Sequence, residues 1–265
     1  MKEIIMRKAT LILVACLALL AFLLGCGRGN ETPTSNKAIK ISGEVGISSA
    51  IELTECHIEN LVNSMEIIAM TEEVKSGNWN KMWPILNKFG EVHIPAVVWF
   101  ALPDGSYYTA EKGKTDQNLS DRSYFPKVMS GNKVIGDLVV SKSTSEKVVV
   151  TTVPVKNEGK VTGALGASIY LENLSQLVVK ELQLPTDMVF YAVSDQGKIA
   201  LHSDSKWLLK DAADLGSKSF SEAVKSMLSN KQGVATYELE GVSETVIFKT
   251  SPLTGWCFAL GLKAK

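Results

Sequence analysis

Arg122 stands in the stretch "LSDRSYFPKVMSGN", directly after Asp121 and two residues before the pair Tyr124–Phe125, ahead of a Gly-Asn turn. A guanidinium presents a planar fork of donors that matches a carboxylate two-pronged. Neighbouring rings that exclude water make such charge-assisted bonds count for more. Tyr124 and Phe125 supply rings directly, and Tyr107 or Tyr108 from an upstream hairpin could close in from the side. The chemistry on offer is capture of a small anion. The competing reading is a local ion pair with Asp121 or a staple for the loop, which at an exposed position carries little energy. Trp99 and Phe100 are adjacent on a predicted strand, so their rings point to opposite faces, and Trp99 is either a pocket wall or plain packing. Tyr170 reads as structural.

No comparable constellation suggests catalysis. His57, His93 and His202 lack metal-ligand spacing, no glycine-rich phosphate loop precedes a helix, and the serines show neither a nucleophile elbow nor an acid-base partner. "GSKSF" and "SDSK" read as surface loop. The expectation is a binding protein and not an enzyme, without metal or cofactor. Its 28 basic and 28 acidic residues cancel, which offers no basic surface to nucleic acid.

The elements that must position these residues follow from periodicity. Ile47, Ile51, Ile58, Leu61, Val62, Met65 and Ile68 recur at helical spacing and predict one long helix over residues 45–78. At ~1.5 Å per residue such a helix is longer than a small domain is wide, so it needs two bodies to lean on. A shorter helix is expected from Trp79 to Phe89, begun or kinked by Pro84. "AVVWFALPDGSYYTA" then reads as a hairpin about a Pro-Asp-Gly turn, and "KVVVTTVPVKNEGKVTGALGASIYL" as a second hairpin, with a helix following at Glu172 to Leu184.

There the chain starts again. "VFYAVSDQGKIALH" repeats the plan of "VVWFALPDGSYYTA", and "TVIFKTSPLTGWCFALGLK" echoes the later hairpin. Gly105 to Gly197 is 92 residues, Pro154 to Pro252 is 98, and the two "ALG" tripeptides at Ala164 and Ala259 are 95 apart. Three markers near one offset predict a duplicated α+β unit. Each copy would be an antiparallel sheet with flanking helices, over residues 79–184 and 185–265.

The N-terminus reads as a targeting segment. Lys2, Arg7 and Lys8 precede an uncharged apolar run from Ala9 to Gly25, short for a membrane-spanning helix, that closes on "LLGCG". That ending resembles the lipobox of bacterial lipoproteins, which implies cleavage of residues 1–25 and acylation of Cys26. Removal of that segment takes away three basic residues and one acidic one, leaving a slightly negative chain. The polar stretch from 26 to 44 is expected to be a flexible tether. With Cys16 in the signal and Cys26 lipidated, only Cys56 and Cys257 remain to pair. A bridge and two free thiols both stay open.

A long N-terminal helix, two tandem PAS-like sheets and the run "DRSYFPKVMSGNKVIGDLVVSKSTSEKVVVTTVPVKNEGKVTGALGASIYLENLS" together resemble the double Cache sensor domains that lie outside the membrane on bacterial chemoreceptors and sensor kinases. The likeness covers roughly Glu44 to Leu262 and is strongest from Asp121 to Ser175. It implies that the first, membrane-distal module holds a small ligand between its sheet and the loops above, while the second relays or supports. Amino-acid-binding members carry an arginine followed by two aromatics, matched here by Arg122, Tyr124 and Phe125. They also carry acidic residues for the ligand's ammonium, and the corresponding positions here read Ser141 and Ser168. An ammonium buried without a carboxylate partner costs several kcal/mol. The resemblance therefore implies a small organic anion such as a carboxylate, with Ser168, Thr151 or Thr152 as hydroxyl donors and Tyr107 and Trp99 as walls. Such receptors continue into a second membrane helix and a signalling domain, whereas this chain ends at Lys265. The expectation is a lipid-anchored extracytoplasmic protein that acts through a membrane signalling or transport partner. In a Gram-negative organism its default address is the outer membrane, facing the periplasm. The alternative is a docking lipoprotein that has lost its ligand.

Overall fold

The computed structural model describes residues 35–264. The signal segment and Cys26 lie outside the described residues. Among the described residues no helix is long and apolar enough to cross a membrane.

Helix α1 runs Ser35–Ile68. Six of the seven residues that predicted it, Ile47, Ile51, Ile58, Leu61, Val62 and Met65, are buried, and Ile68 is partly so. Both of its ends differ from expectation, each for a local reason. The start falls within the stretch read as tether, where Gly43 is a helix residue whose Cβ would lie 3.4 Å from Ile247, and one turn on a Cβ at Gly46 would lie 2.8 Å from Leu260, so the helix approaches the second sheet closely there. The far end stops short of residue 78 because Thr71 donates to the Ile68 carbonyl and accepts from the Val74 amide. One hydroxyl thus ends α1 and caps a separate turn of helix, α2 (Glu72–Lys75). Helix α3 (Trp79–Val92) contains Pro84 and lays Met82, Leu86 and Phe89 into the core.

The first sheet has six strands in the order β3-β2-β1-β6-β5-β4. They are β1 (Ala96–Ala101), β2 (Ser106–Thr109), β3 (Gly113–Asn118), β4 (Val134–Val140), β5 (Lys147–Asn157) and β6 (Lys160–Tyr170), with the short helix α4 (Phe125–Met129) between β3 and β4. Both predicted hairpins form. The one joining β5 to β6 turns at Glu158 and Gly159, both at positive φ. Helix α5 (Leu171–Glu181) follows and buries Leu174, Ser175 and Val178.

The second sheet has five strands in the order β8-β7-β11-β10-β9, comprising β7 (Met188–Val193), β8 (Ile199–His202), β9 (Gln232–Leu239), β10 (Val242–Thr250) and β11 (Cys257–Lys263). Its order reproduces β2-β1-β6-β5-β4 of the first sheet, as a duplicated unit requires. Helix α6 (Lys218–Asn230) precedes β9. Part of its start, "GSKSF", read as surface loop. In fact Ser217 caps the helix by accepting from the Phe220 amide, and Phe220 is buried.

One apolar cluster joins α1 to the inner faces of both sheets, through Val98, Phe100, Val149, Leu165 and Ile169 of the first and Phe190, Ala192, Phe258 and Leu260 of the second. Polar contacts fix the helix at two heights. Glu55 Oε1 accepts from Ser251 Oγ at 2.5 Å and the Leu253 amide at 3.2 Å, while Glu66 pairs with Lys133 at 2.9 Å. The two bodies that the long helix needed are thus the two sheets. Among the described residues Cys56 and Cys257 are both free. Cys56 is exposed on α1, and Cys257 is buried among the outer-face residues of the second sheet, its thiol pushed up to about 11 by that burial.

Candidate functional site

The outer face of the first sheet, turned away from α1, presents Trp99 and Ala101 of β1, Val148 and Val150 of β5, and Ala164 of β6. The segment from Leu119 to Tyr124, helix α4 and the loop after β4 lie over it. Between sheet and cover is a small cavity of about 20 Å³, lined among others by Trp99, Tyr107, Arg122, Tyr124, Ser141 and Ser168. That volume is about the room of one water.

Six of the eight residues expected at the site therefore meet. The Trp99 indole lies flat over Gly166, where a Cβ would fall 2.1 Å from the ring, and its Nε1 donates to Ser168 Oγ at 3.1 Å. The glycine opposite it on β6 is what lets the ring lie down. Tyr124 is buried beside Trp99, with ring centroids 6.2 Å apart. Burial pushes its phenol pKa up, opposed by the Arg122 charge. Tyr107 faces the cavity, whereas Tyr108, one residue on, points to the other side and stacks on Trp79 at 5.0 Å.

Two expected residues fall elsewhere. Thr151 lies on the inner face, paired across the sheet with Ala167 of the main core, because side chains alternate along β5 and its neighbours Val148 and Val150 take the outer face. Its neighbour Thr152 is on the outer side of the strand but donates to the Leu165 carbonyl at 2.9 Å. Phe125 begins α4 and packs beneath it with Val128, in the cluster around the cavity but not lining it.

Arg122 is half-buried. Its Nη2 donates to the Val140 carbonyl at 2.6 Å, while its Nε is buried and meets no acceptor among the described residues. The pair with Asp121 does not form. Asp121 instead holds Lys142, whose Nζ lies 2.6 and 2.8 Å from the two carboxylate oxygens. This pairing keeps the Asp121 carboxyl below its ordinary range. Lys142 was missed by sequence reasoning, although it directly follows Ser141 and lines the same cavity. No acidic side chain is among the lining residues, so the cavity wall carries two positive groups and hydroxyls.

A model of the Cache domain family matches residues 36–264. The chain is 24% identical over 116 residues to the methyl-accepting chemotaxis protein PscA of Pseudomonas syringae pv. tomato, a match covering 43% of this chain but only 18% of that protein. The fold is similar to the sensor domain of the V. cholerae histidine kinase DctB, with a TM-score of 0.66, 13% identity, and coverage of 87% of this chain and 99% of that one. It is also similar to the ligand-binding domain of the Campylobacter jejuni chemoreceptor Tlp3 in complex with L-norvaline, with a TM-score of 0.65, 15% identity, and coverage of 89% and 96%.

Proposed function

The chain belongs to the Cache domain family, and from that premise we propose that it is an extracytoplasmic ligand-binding sensor whose first module takes a small organic anion. One observation carries the reading. Arg122 holds a buried, unpartnered Nε beside Trp99 and Tyr124, in a cavity whose wall bears no carboxylate. A carboxylate ligand would supply the missing acceptor and accept a second bond from the same fork. Ser168 and Ser141 supply hydroxyls, and Tyr107 closes the side. An α-amino acid such as the one bound by Tlp3 fits less well, since the serines at the two acidic positions leave an ammonium without a countercharge.

Acylation of Cys26 would hold the module outside the cell, and a membrane signalling or transport partner would read its state. Metabolic palmitate labelling that persists in Cys26→Ser would refute the anchor. For the ligand, a thermal-shift screen of organic acids and amino acids is expected to give a rise in Tm with an organic acid that Arg122→Ala abolishes.

The docking alternative draws on the small volume of the cavity and on an open apolar groove of about 570 Å³ between α1 and α3, lined by Ile67, Ile68, Pro84, Ile85, Phe89 and Val92. A screen without any hit would favour it.

A further inference from the structure

The loops that roof the cavity are laced together by cations reaching for main-chain carbonyls. From the segment before α4, Arg122 Nη2 reaches the Val140 carbonyl at 2.6 Å. In the opposite direction Lys142 Nζ reaches the Asn118 carbonyl at 2.7 Å and both oxygens of Asp121. Lys112 Nζ holds the Ser143 carbonyl at 2.7 Å from outside. These three straps are positive side chains, and Asp121 is the anion that one of them holds, while Ser123 Oγ adds a neutral strap by donating to Asp137 of β4 at 3.2 Å.

The two members of the Lys142 pair differ in exposure. The Lys142 side chain is 21% exposed and lines the cavity, whereas that of Asp121 is 68% exposed and does not. A carboxylate that is mostly in water loses little when it turns back to water, because exposed ion pairs contribute little. A carboxylate placed between Arg122 and Lys142 inside the roof would meet the same ammonium in drier surroundings, together with the unpartnered Nε, and would hold it more strongly. The exchange is then downhill for a ligand and reversible without one.

We propose that Lys142 is a second anchor for the anion and that Asp121 is the internal carboxylate it exchanges for, so that the Asp121–Lys142 pair keeps the empty site shut. This rests on the anion reading of the same site. Entry of a ligand carboxylate releases Asp121, loosens the segment 118–122 from the loop 140–143, and widens a cavity that now has room for about one water. The loop after β4 then reports occupancy outward. Its continuation, Thr144 to Lys147, lines a cleft of about 580 Å³ whose far wall is Ser205 and Leu208 beside the second sheet. Movement of that loop reaches the second module directly.

The test is isothermal titration of the full chain with acetate, lactate and succinate as probes, in the wild type and in Asp121→Asn, Lys142→Met and Arg122→Ala. Asp121 is exposed, so Asp121→Asn leaves folding intact and carries the test by itself. It is expected to bind the probes about three- to fivefold tighter, the size of an exposed ion pair removed from competition. Lys142→Met is expected to weaken binding about tenfold or more, and Asp121→Asn to add nothing in its presence, since the two act on one contact. Binding that is unchanged or weaker in Asp121→Asn, with the Arg122→Ala loss intact, overturns the exchange and leaves the anion reading standing. Binding that survives Arg122→Ala overturns the anion reading itself. Absence of binding for all three probes in both wild type and Asp121→Asn overturns both.

Discussion

The two sheets share a strand order and an inner face, yet their outer faces are put to different uses. Over the first sheet lie a loop, a five-residue helix and the tip of β4, and the space beneath is lined by Arg122, Lys142 and hydroxyls. Over the second lies the 13-residue helix α6, which fills the equivalent space with Phe220, Val224 and Met227 against Tyr191 and Tyr237. The polar group there has the opposite sign. Glu244 is 5% exposed on β10, directly across the sheet from Tyr237, and its Oε2 has no hydrogen-bond partner among the described residues. One repeated scaffold thus keeps a small polar cavity where its cover is a loop and forms a core where its cover is an amphipathic helix. The two modules differ at the cover and not at the sheet.

The sharpest way to break this contrast is Phe220→Ala. Loss of a fully buried ring should destabilise the chain by ~3–5 kcal/mol, visible in urea unfolding, while anion binding by the folded fraction stays unchanged. Lost binding in a folded variant would mean that the second cover also shapes the first site. Glu55→Ala comes next. It strips the acceptor from Ser251 Oγ and the Leu253 amide and should cost about 1–3 kcal/mol, loosening α1 from the second sheet. Hydrogen exchange is expected to rise around Ser251 to Thr254 and not around Lys133. Gly166→Ala acts on the first cover. Its Cβ would collide with the Trp99 indole, at about 1–3 kcal/mol for overpacking, and should weaken probe binding as the ring is displaced.

The smallest effect is one of pH. Burial raises the Glu244 carboxyl above the usual 4.5, against the pull of the Tyr237 hydroxyl and Lys263. The folded state therefore holds this proton more tightly than the unfolded one. The stability it contributes is complete below pH 4.5 and is lost as pH rises through the higher folded value. Glu244→Gln should match the wild type near pH 4 and exceed it at pH 7 in thermal unfolding. His202 works in the other sense. Burial lowers it from 6.5 to about 4, so its contribution is present above 6.5 and lost as pH falls through 4. That loss should remain in Glu244→Gln.

Long-range duplication was legible because it leaves copies of a turn at a fixed place in the unit, as Gly105 with Gly197, although the strand pairings match Ala164 to Cys257 and put the two "ALG" tripeptides two residues out of step. The long helix was legible because Ile47 to Met65 keep one spacing throughout. The helix α6 was not read, since its serines and lysines at Lys218 to Ser221 look like loop until Ser217 is seen capping it. Thr151 was misplaced for a similar reason. In a strand of five valines and two threonines, hydropathy does not say which alternate set faces the core. Lys142 escaped because a lysine at a strand end carries no local signal.

Residue order alone determined the periodic helix, the paired turns and the presence of an arginine followed by aromatics, because these depend on neighbours a few positions apart. Tertiary structure decided which carboxylate met which cation, which face of β5 each threonine took and how little space was left beneath the loops. Those outcomes depend on strands brought together from distant parts of the chain, where a shift of one residue reverses the face and an ångström decides whether a hydrogen bond exists.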